Sequence, residues 1–543
     1  METDVIVAGS GAAGLAAALT ASELGLQVEL LEKADSVGGG TAYSYGILWA
    51  GNNHLQNPAE AAGDLHDAVE YMLRLGGGHH DEARLCTLAT ESGRALAFFA
   101  RCGLQLEVIE GLADMYAGKI ATASTKAGRS LEPKPISAAV LGDWAGRALV
   151  PAAIPYRARV GEFRRWGGIH NQANWDSQLV AERAAADVRC MGAALVVGLL
   201  EQVLRRGISV QLENGVKRLL VEDGAVVGVE TSAGKHMRAR RGVVLATGGY
   251  ESNIDLVKSL DWLPGYDSMF PASRDGDGLI MSVEIGARLC AVQPNVRAHL
   301  GYRIPGRSPD QPGPFRLASI IELASPHTLV VNRSGRRFAN EARFAEAAAQ
   351  IRRYDEATHQ HPNLPGFLIF DEQYARSYTF ADNPPGAPIP GWVARGPTVE
   401  GLARALDIDP LNLAATVERF NGFARGGIDE DFGRGGDIWR QTGGGEAAVL
   451  NSALGSIERP PFYGVRLSPT YSSSVGIECD IHARALHQRG YPIPGLYVAG
   501  NAAAPTEIGV GYQAGTSLSS ALTYGYLAVR HMAAMENGSP PGK

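Results

Sequence analysis

Cysteine is scarce in this chain. The five that occur, Cys86, Cys102, Cys190, Cys290 and Cys479, are scattered and odd in number. That usage implies no disulfide framework and suits a reducing, cytoplasmic compartment. No CxxC pair or other metal-ligand spacing is present, so no metal is expected, and the lack of CxxCH excludes a c-type haem. No uninterrupted apolar run reaches ~18 residues, so no transmembrane helix is expected. The first apolar strand begins within a few residues of Met1, which leaves no room for a signal peptide. Positive charge is in deficit as well: 50 Lys and Arg stand against 57 Asp and Glu, a net charge of −7. That balance argues against nucleic acid as a partner. No internal repeat or low-complexity tract is evident.

Glycine, by contrast, is abundant, at 67 of 543 residues. It suggests tight turns and backbone that approaches a ligand closely. A chain of this length exceeds one ordinary core, so at least two domains are expected.

The first motif explains some of that glycine. DVIVA, residues 4–8, is a short apolar run suited to a buried parallel strand. GSGAAG follows, comprising Gly9, Ser10, Gly11, Ala12, Ala13 and Gly14. An Ala- and Leu-rich helix then runs to Gly25, and QVELLE forms a second strand ending in Glu32, beside Lys33. Gly9 permits a tight turn, Gly11 admits a pyrophosphate to the backbone, and Gly14 lets helix and strand pack closely. The helix N-terminus offers N–H groups and a positive dipole end, and Glu32 can accept from ribose hydroxyls. The spacing alone is weak; within strand–turn–helix–strand, with the acid about 20 residues on, it indicates a dinucleotide.

KADSVGGGTAYSYGILWAGNN, residues 33–53, resembles the second flavin segment of the fumarate reductase/succinate dehydrogenase flavoprotein superfamily. The resemblance implies FAD lined by Gly39, Gly40, Thr41, Ala42, Ser44 and Gly46. Members with covalent flavin carry a histidine there; this segment has none, so non-covalent FAD is expected. The resemblance also places Val216 at the adenine, Ala246, Thr247 and Gly248 against the dinucleotide, and Gly500 and Asn501 in the last flavin turn. Ser517 and Leu518 then fall at a helix N-terminus near the flavin. The implied fold is α/β: a Rossmann-like FAD-binding domain of glutathione-reductase type, residues 1–274 and 456–543. An inserted α+β substrate or capping domain occupies 275–455. Coarser patterning predicts helices near 58–76, 80–102 and 192–205, an irregular stretch at 103–175, and short strands across 210–253.

Fumarate reductases hold a dicarboxylate with cationic groups. At the matching positions this chain has Ala345, Tyr512 and Ser472. Losing all three removes what would bind a dianion. AYSYGILWAGNN, AGRSLEPKP and FYGVRLSP are instead similar to segments of the 3-ketosteroid dehydrogenases. That resemblance implies that Tyr512 and Gly515 hold a substrate ketone, and that Tyr116 lines the site and assists proton transfer. Tyr116 as a loop ring packed on the surface is the competing reading. A hydroxyl and an amide on the ketone would stabilise a developing enolate, while a base takes the α-proton. The family's expected base is a tyrosine where this chain has Ala345. The expected function is an FAD-dependent dehydrogenase of an apolar cyclic ketone, a 3-ketosteroid or a smaller ring, that passes electrons to a quinone, oxygen or a carrier protein. An enone or enoate reductase and a non-catalytic electron-transfer protein are the alternatives.

Overall fold

A computed structural model of the chain describes residues 2–61, 63–125, 128–151, 156–169, 171–292, 298–306, 315–318, 322–381, 383–436, 451, 453–471 and 473–535. Its centre is an eight-stranded sheet. The strand Glu2–Ala8 lies between His236–Leu245 and Val28–Leu31, parallel to both. Pro492–Val498 and Ser209–Gln211 extend the parallel run on either side. Val5, Ile6 and Val7 are wholly buried, because both faces of a parallel sheet are covered.

Helices Ala12–Glu23, Met191–Arg205 and Thr516–Ala534 cover one face with a shared apolar core. Ala-rich helix faces make this packing close: a Cβ at Gly525 would lie 2.5 Å from the Ala13 carbonyl oxygen. The other face carries the hairpin of Val216–Glu222 and Ala225–Thr231, with Met281, Ala287 and Ile477 in its core. The expected helices appear as Asp64–Gly76, Glu82–Cys102 and Met191–Arg205. The stretch expected to be irregular holds short strands at Leu106–Val108 and Ser130–Pro133, a 3₁₀ segment Ala138–Arg147 and the helix Val160–Arg165.

A second, six-stranded sheet runs Phe315–Leu317, Ala298–Arg303, Phe462–Tyr471, Gly366–Asp371, Thr328–Val331, with Ala394–Gly396 beside Phe462–Tyr471. Its pairings are antiparallel. Apolar cores cover both faces, one with the helices Phe344–Ile351 and Glu372–Ser377, the other with Val399–Ala405 and Pro410–Gly426. This sheet therefore reaches from Ala298 to Tyr471. The helix Asp277–Glu284 and the strand Leu289–Ala291 precede it, and Met281 and Ala287 pack into the core of the first sheet. No helix among the described residues is long and apolar enough to cross a membrane.

Candidate active site

A cavity of about 400 Å³ opens at the C-terminal ends of the central parallel strands, with walls from both lobes. Ligands of open parallel sheets bind at this end. The glycine turn forms its floor. Gly9 has φ of 100°, and a Cβ there would lie 2.4 Å from the Ala246 carbonyl oxygen. A Cβ at Gly14 would lie 1.8 Å from the Gly9 carbonyl oxygen. Gly14 thus serves helix–strand packing and is not part of the wall, and neither is the fully buried Ala42. Gly11 and Gly39 differ: nothing lies closer than 3.5 Å to a Cβ at Gly11, and nothing within 4 Å of one at Gly39. Open space beside these backbones leaves room for a phosphate-bearing chain.

Glu32 is buried and oriented. Its carboxylate accepts from the Ser10 amide at 2.9 Å, the Ser10 hydroxyl at 2.6 Å and the Ala34 amide at 2.9 Å. A carboxylate offers about four acceptor positions, so capacity remains for a ribose hydroxyl. Lys33 is on the wall, with its ammonium 2.5 Å from Asp275 and 2.7 Å from Asp277. It therefore ties the end of the strand Val28–Leu31 to the turn that opens the helix Asp277–Glu284. Val216 and Gly215 line the same end. The Thr41 hydroxyl accepts from the Ala12 amide at 2.9 Å, capping one N–H of the helix, and Ser44 donates to the Thr41 carbonyl at 2.7 Å.

Ala246, Thr247 and Gly248 form the next stretch of wall. The Thr247 hydroxyl is buried and has no hydrogen-bond partner among the described residues. Arg274 lies across from Gly40 and Gly248 and is ion-paired with the buried Glu251. Gly500 and Asn501 follow, then Ser517 and Leu518 at the start of the helix Thr516–Ala534. That helix has no acidic residue in its first turn, so its dipole is available to an anionic ligand. The open glycine backbones, the oriented Glu32 and this helix end together fit FAD.

Tyr512 and Gly515 share the wall with Ala514. Gly515 caps the helix with φ of 96°, and a Cβ there would lie 2.8 Å from the Trp49 nitrogen. The loop around them is held from within by Gln513, which is 1 % exposed. Its side-chain oxygen accepts from the Tyr71 hydroxyl at 2.7 Å and from the Met115 amide at 2.9 Å. The Ala514 amide in turn donates to Met115 Sδ at 3.2 Å.

Tyr116 is not on the cavity wall among the described residues. It is half-buried against the cluster containing Trp49 and Tyr71, with the Arg343 guanidinium 4.9 Å from its ring centre. Ala345 lies in the helix Phe344–Ile351, and Ser472 lies outside the described residues.

The remaining wall is mostly apolar: Leu112, Phe163, Ile169, Leu317, Ala324 and Ala453. Tyr43, Tyr45, Arg164 and His299 interrupt it. Burial pushes the Tyr45 hydroxyl well above the usual phenol range and pushes His299 down to about 4, so the imidazole is neutral at pH 7. Arg164, Arg274 and His299 escaped the sequence reading because no local motif surrounds them. The one usable signal was the SRDGDG stretch, whose paired acids mark a special turn at Arg274–Gly278. Among the described residues no group of His, Cys, Asp and Glu could hold a metal.

Comparison with known proteins agrees with this geometry. The model of the FAD binding domain family matches residues 4–518. The 4-oxocyclohexanecarboxylate 2-dehydrogenase of Sinomonas cyclohexanicum is 33% identical, over 99% of this chain and 94% of its own. The 3-oxosteroid 1-dehydrogenase of Mycobacterium tuberculosis is 32% identical, over 98% of each chain. The solved structure of 3-ketosteroid delta1-dehydrogenase from Sterolibacterium denitrificans, in complex with 1,4-androstadiene-3,17-dione, superposes with a TM-score of 0.85. It is 28% identical, over 98% of this chain and 100% of that one.

Proposed function

The chain belongs to the FAD binding domain family, and we propose that it is an FAD-dependent dehydrogenase that desaturates a cyclic ketone beside its carbonyl. The relatives supply two sizes of ring, a steroid and a cyclohexanone. The observation that carries the reading is the placement of Tyr512 and Gly515 together on the cavity wall, at the head of the helix that borders the cofactor cradle.

Bound FAD supplies a hydride acceptor for the β-carbon of the ring. Gly11 and Gly39 would give it close backbone approach, Glu32 would accept from its ribose, and the N-terminus of the Thr516–Ala534 helix would meet its negative charge. The Tyr512 hydroxyl and the Gly515 amide hold the ketone oxygen and stabilise the enolate that develops there. The pair carries no formal charge, which suits an apolar ring. The helix dipole behind Gly515 favours negative charge at the same place. The apolar wall of Leu112, Phe163, Ile169 and Leu317 excludes water and strengthens those hydrogen bonds.

The α-proton needs an acceptor. Ala345 offers only a methyl group where the family resemblance places a tyrosine, so another group takes that role. We assign it to His299, whose imidazole burial keeps unprotonated at neutral pH on the cavity wall. Tyr116, behind the Tyr71–Gln513 contact, acts as a support for the Tyr512 loop in this reading. Five free cysteines, three of them buried, support placement in a reducing cytoplasm. The electrons leave by an external quinone, oxygen or carrier protein.

The test is turnover of a 3-ketosteroid and of 4-oxocyclohexanecarboxylate with an artificial electron acceptor. The expected result is ketone-dependent bleaching of the flavin. Failure of every saturated ketone, with reduction of enones instead, would reverse the assignment to a reductase.

A further inference from the structure

Arg164 is half-buried and differs from the arginines buried in the interior. Arg84, Arg129, Arg274 and Arg434 are buried and each is ion-paired with a carboxylate. Arg164, on the short helix Val160–Arg165, has no ion pair among the described residues. Among the described residues its hydrogen bond runs from Nη2 to the Gly111 carbonyl oxygen, at 2.8 Å. Nε and Nη1 are buried and have no hydrogen-bond partner among the described residues. Leaving guanidinium N–H groups buried and unsatisfied is costly. The charge persists all the same, because a guanidinium does not deprotonate in proteins.

The position of this charge is informative. Arg164 forms part of the large cavity's wall, set among Leu112, Val160, Phe163 and Ile169. Its bond to Gly111 joins it to the segment that continues through Leu112 to Met115, which contacts the Gln513–Ala514 loop beside Tyr512. A smaller outer pocket borders its other side and contains Glu107, Glu110 and Glu132. Those acids do not satisfy it. Glu107 pairs with Arg159, and Glu132 accepts from the Val160 and Gly161 amides.

We propose that Arg164 is the anion-recognising residue of the active site, and that the substrate is a ring ketone carrying a carboxylate. Its ketone lies at Tyr512 and Gly515 and its carboxylate turns to the unpaired guanidinium face. The second N–H of Nη2, together with either Nε–H or Nη1–H, makes a fork that matches a carboxylate in geometry and charge. An apolar pocket with one unsatisfied cation discriminates strongly for a ligand that supplies the missing acceptor, because the alternative is a buried unpaired group. This inference rests on the ketone-dehydrogenase reading and narrows its substrate class.

The experiment compares 4-oxocyclohexanecarboxylate with its methyl ester, and with a 3-ketosteroid, on FAD-loaded wild type, Arg164→Gln and Arg164→Lys. The wild type is expected to prefer the acid. Arg164→Gln should lower the acid-to-ester ratio of kcat/KM by at least about 10-fold, as for loss of a hydrogen bond to a charged group. Arg164→Lys, which keeps the charge but not the fork, should fall between. A second readout is the perturbation of flavin absorbance on titration with the acid, expected to need a higher concentration in Arg164→Gln. Equal use of acid and ester by the wild type, an unchanged ratio in Arg164→Gln, or turnover of the steroid alone would overturn the inference while leaving the dehydrogenase reading intact. A wild type that oxidises no ketone at all would remove both.

Discussion

At the residue scale, Tyr512 and Gly515 do different physical work. Tyr512 offers a hydroxyl and nothing that the fold needs as a charge. Tyr512→Phe should therefore keep FAD and melt close to the wild type while kcat falls by about 10²–10³, the usual cost of one oxyanion-hole donor. Stopped-flow reduction of the flavin measures that step; an unaltered rate would assign Tyr512 to packing. Gly515 is constrained by conformation, with φ of 96° and the Trp49 nitrogen 2.8 Å from any added Cβ. Gly515→Ala must displace the loop, so both kcat and KM should worsen, with the flavin still bound. His299→Gln should lower kcat in the same assay. Because the base is already deprotonated above pH ~6, wild-type kcat/KM should show no acid limb between pH 6 and 8. A limb near neutrality would exclude His299.

At the scale of elements, the cofactor cradle was legible because strand, glycine turn, helix and acidic residue are close neighbours in the chain. Each glycine has a local reason, and the structure shows two such reasons: close approach at Gly9 and Gly14, and open space at Gly11 and Gly39. Gly9→Ala should abolish the visible flavin absorbance of the purified protein, whereas Tyr512→Phe should retain it. The loop before the last helix was legible only in part. Gln513 is invisible in the sequence as a keystone, yet it joins Tyr71 and Met115, partners 442 and 398 residues away. Gln513→Ala leaves a buried phenol and a buried amide without their acceptor. It should cost about 1–3 kcal/mol, read as a lower urea midpoint, and should reduce turnover by loosening Tyr512. The segment 39–46 contains no histidine, and acid precipitation should release all of the flavin into the supernatant.

At the scale of the whole molecule, one cavity is lined by parts of the chain that lie far apart in sequence, and a cofactor held there would bridge them. FAD binding to the folded state alone stabilises it by mass action, about 4 kcal/mol at a thousandfold excess over Kd. The FAD-loaded protein should melt well above the apoprotein, and reducing agents should leave the melting temperature unchanged because all five cysteines are free. Acid should act through His299, whose folded pKa of about 4 lies below its ordinary value of 6.5. Between these values the unfolded chain binds a proton that the folded chain does not. Stability is full above pH 6.5 and falls as the pH drops toward 4, by at most about 3 kcal/mol. His299→Gln should flatten that part of a stability–pH curve obtained by urea titration. The expected boundary at 455 illustrates the limit of a linear reading. Phe462–Tyr471 looks like any return strand, but its hydrogen bonds go to Ala298–Arg303 and Gly366–Asp371, and strand pairing is not encoded by the strand alone.

The sequence by itself determined the family and its cofactor, FAD, since strand, glycine turn, helix and acid lie at short, fixed spacings. It also shows Ala345 where the family resemblance implies a tyrosine. Only the tertiary structure decided what else lines the cavity. His299 becomes neutral because the fold buries it, and Arg164 has no ion pair among the described residues although Glu107 and Glu132, which are engaged elsewhere, lie nearby. Burial and pairing are properties of the surroundings, and those surroundings are assembled from both lobes.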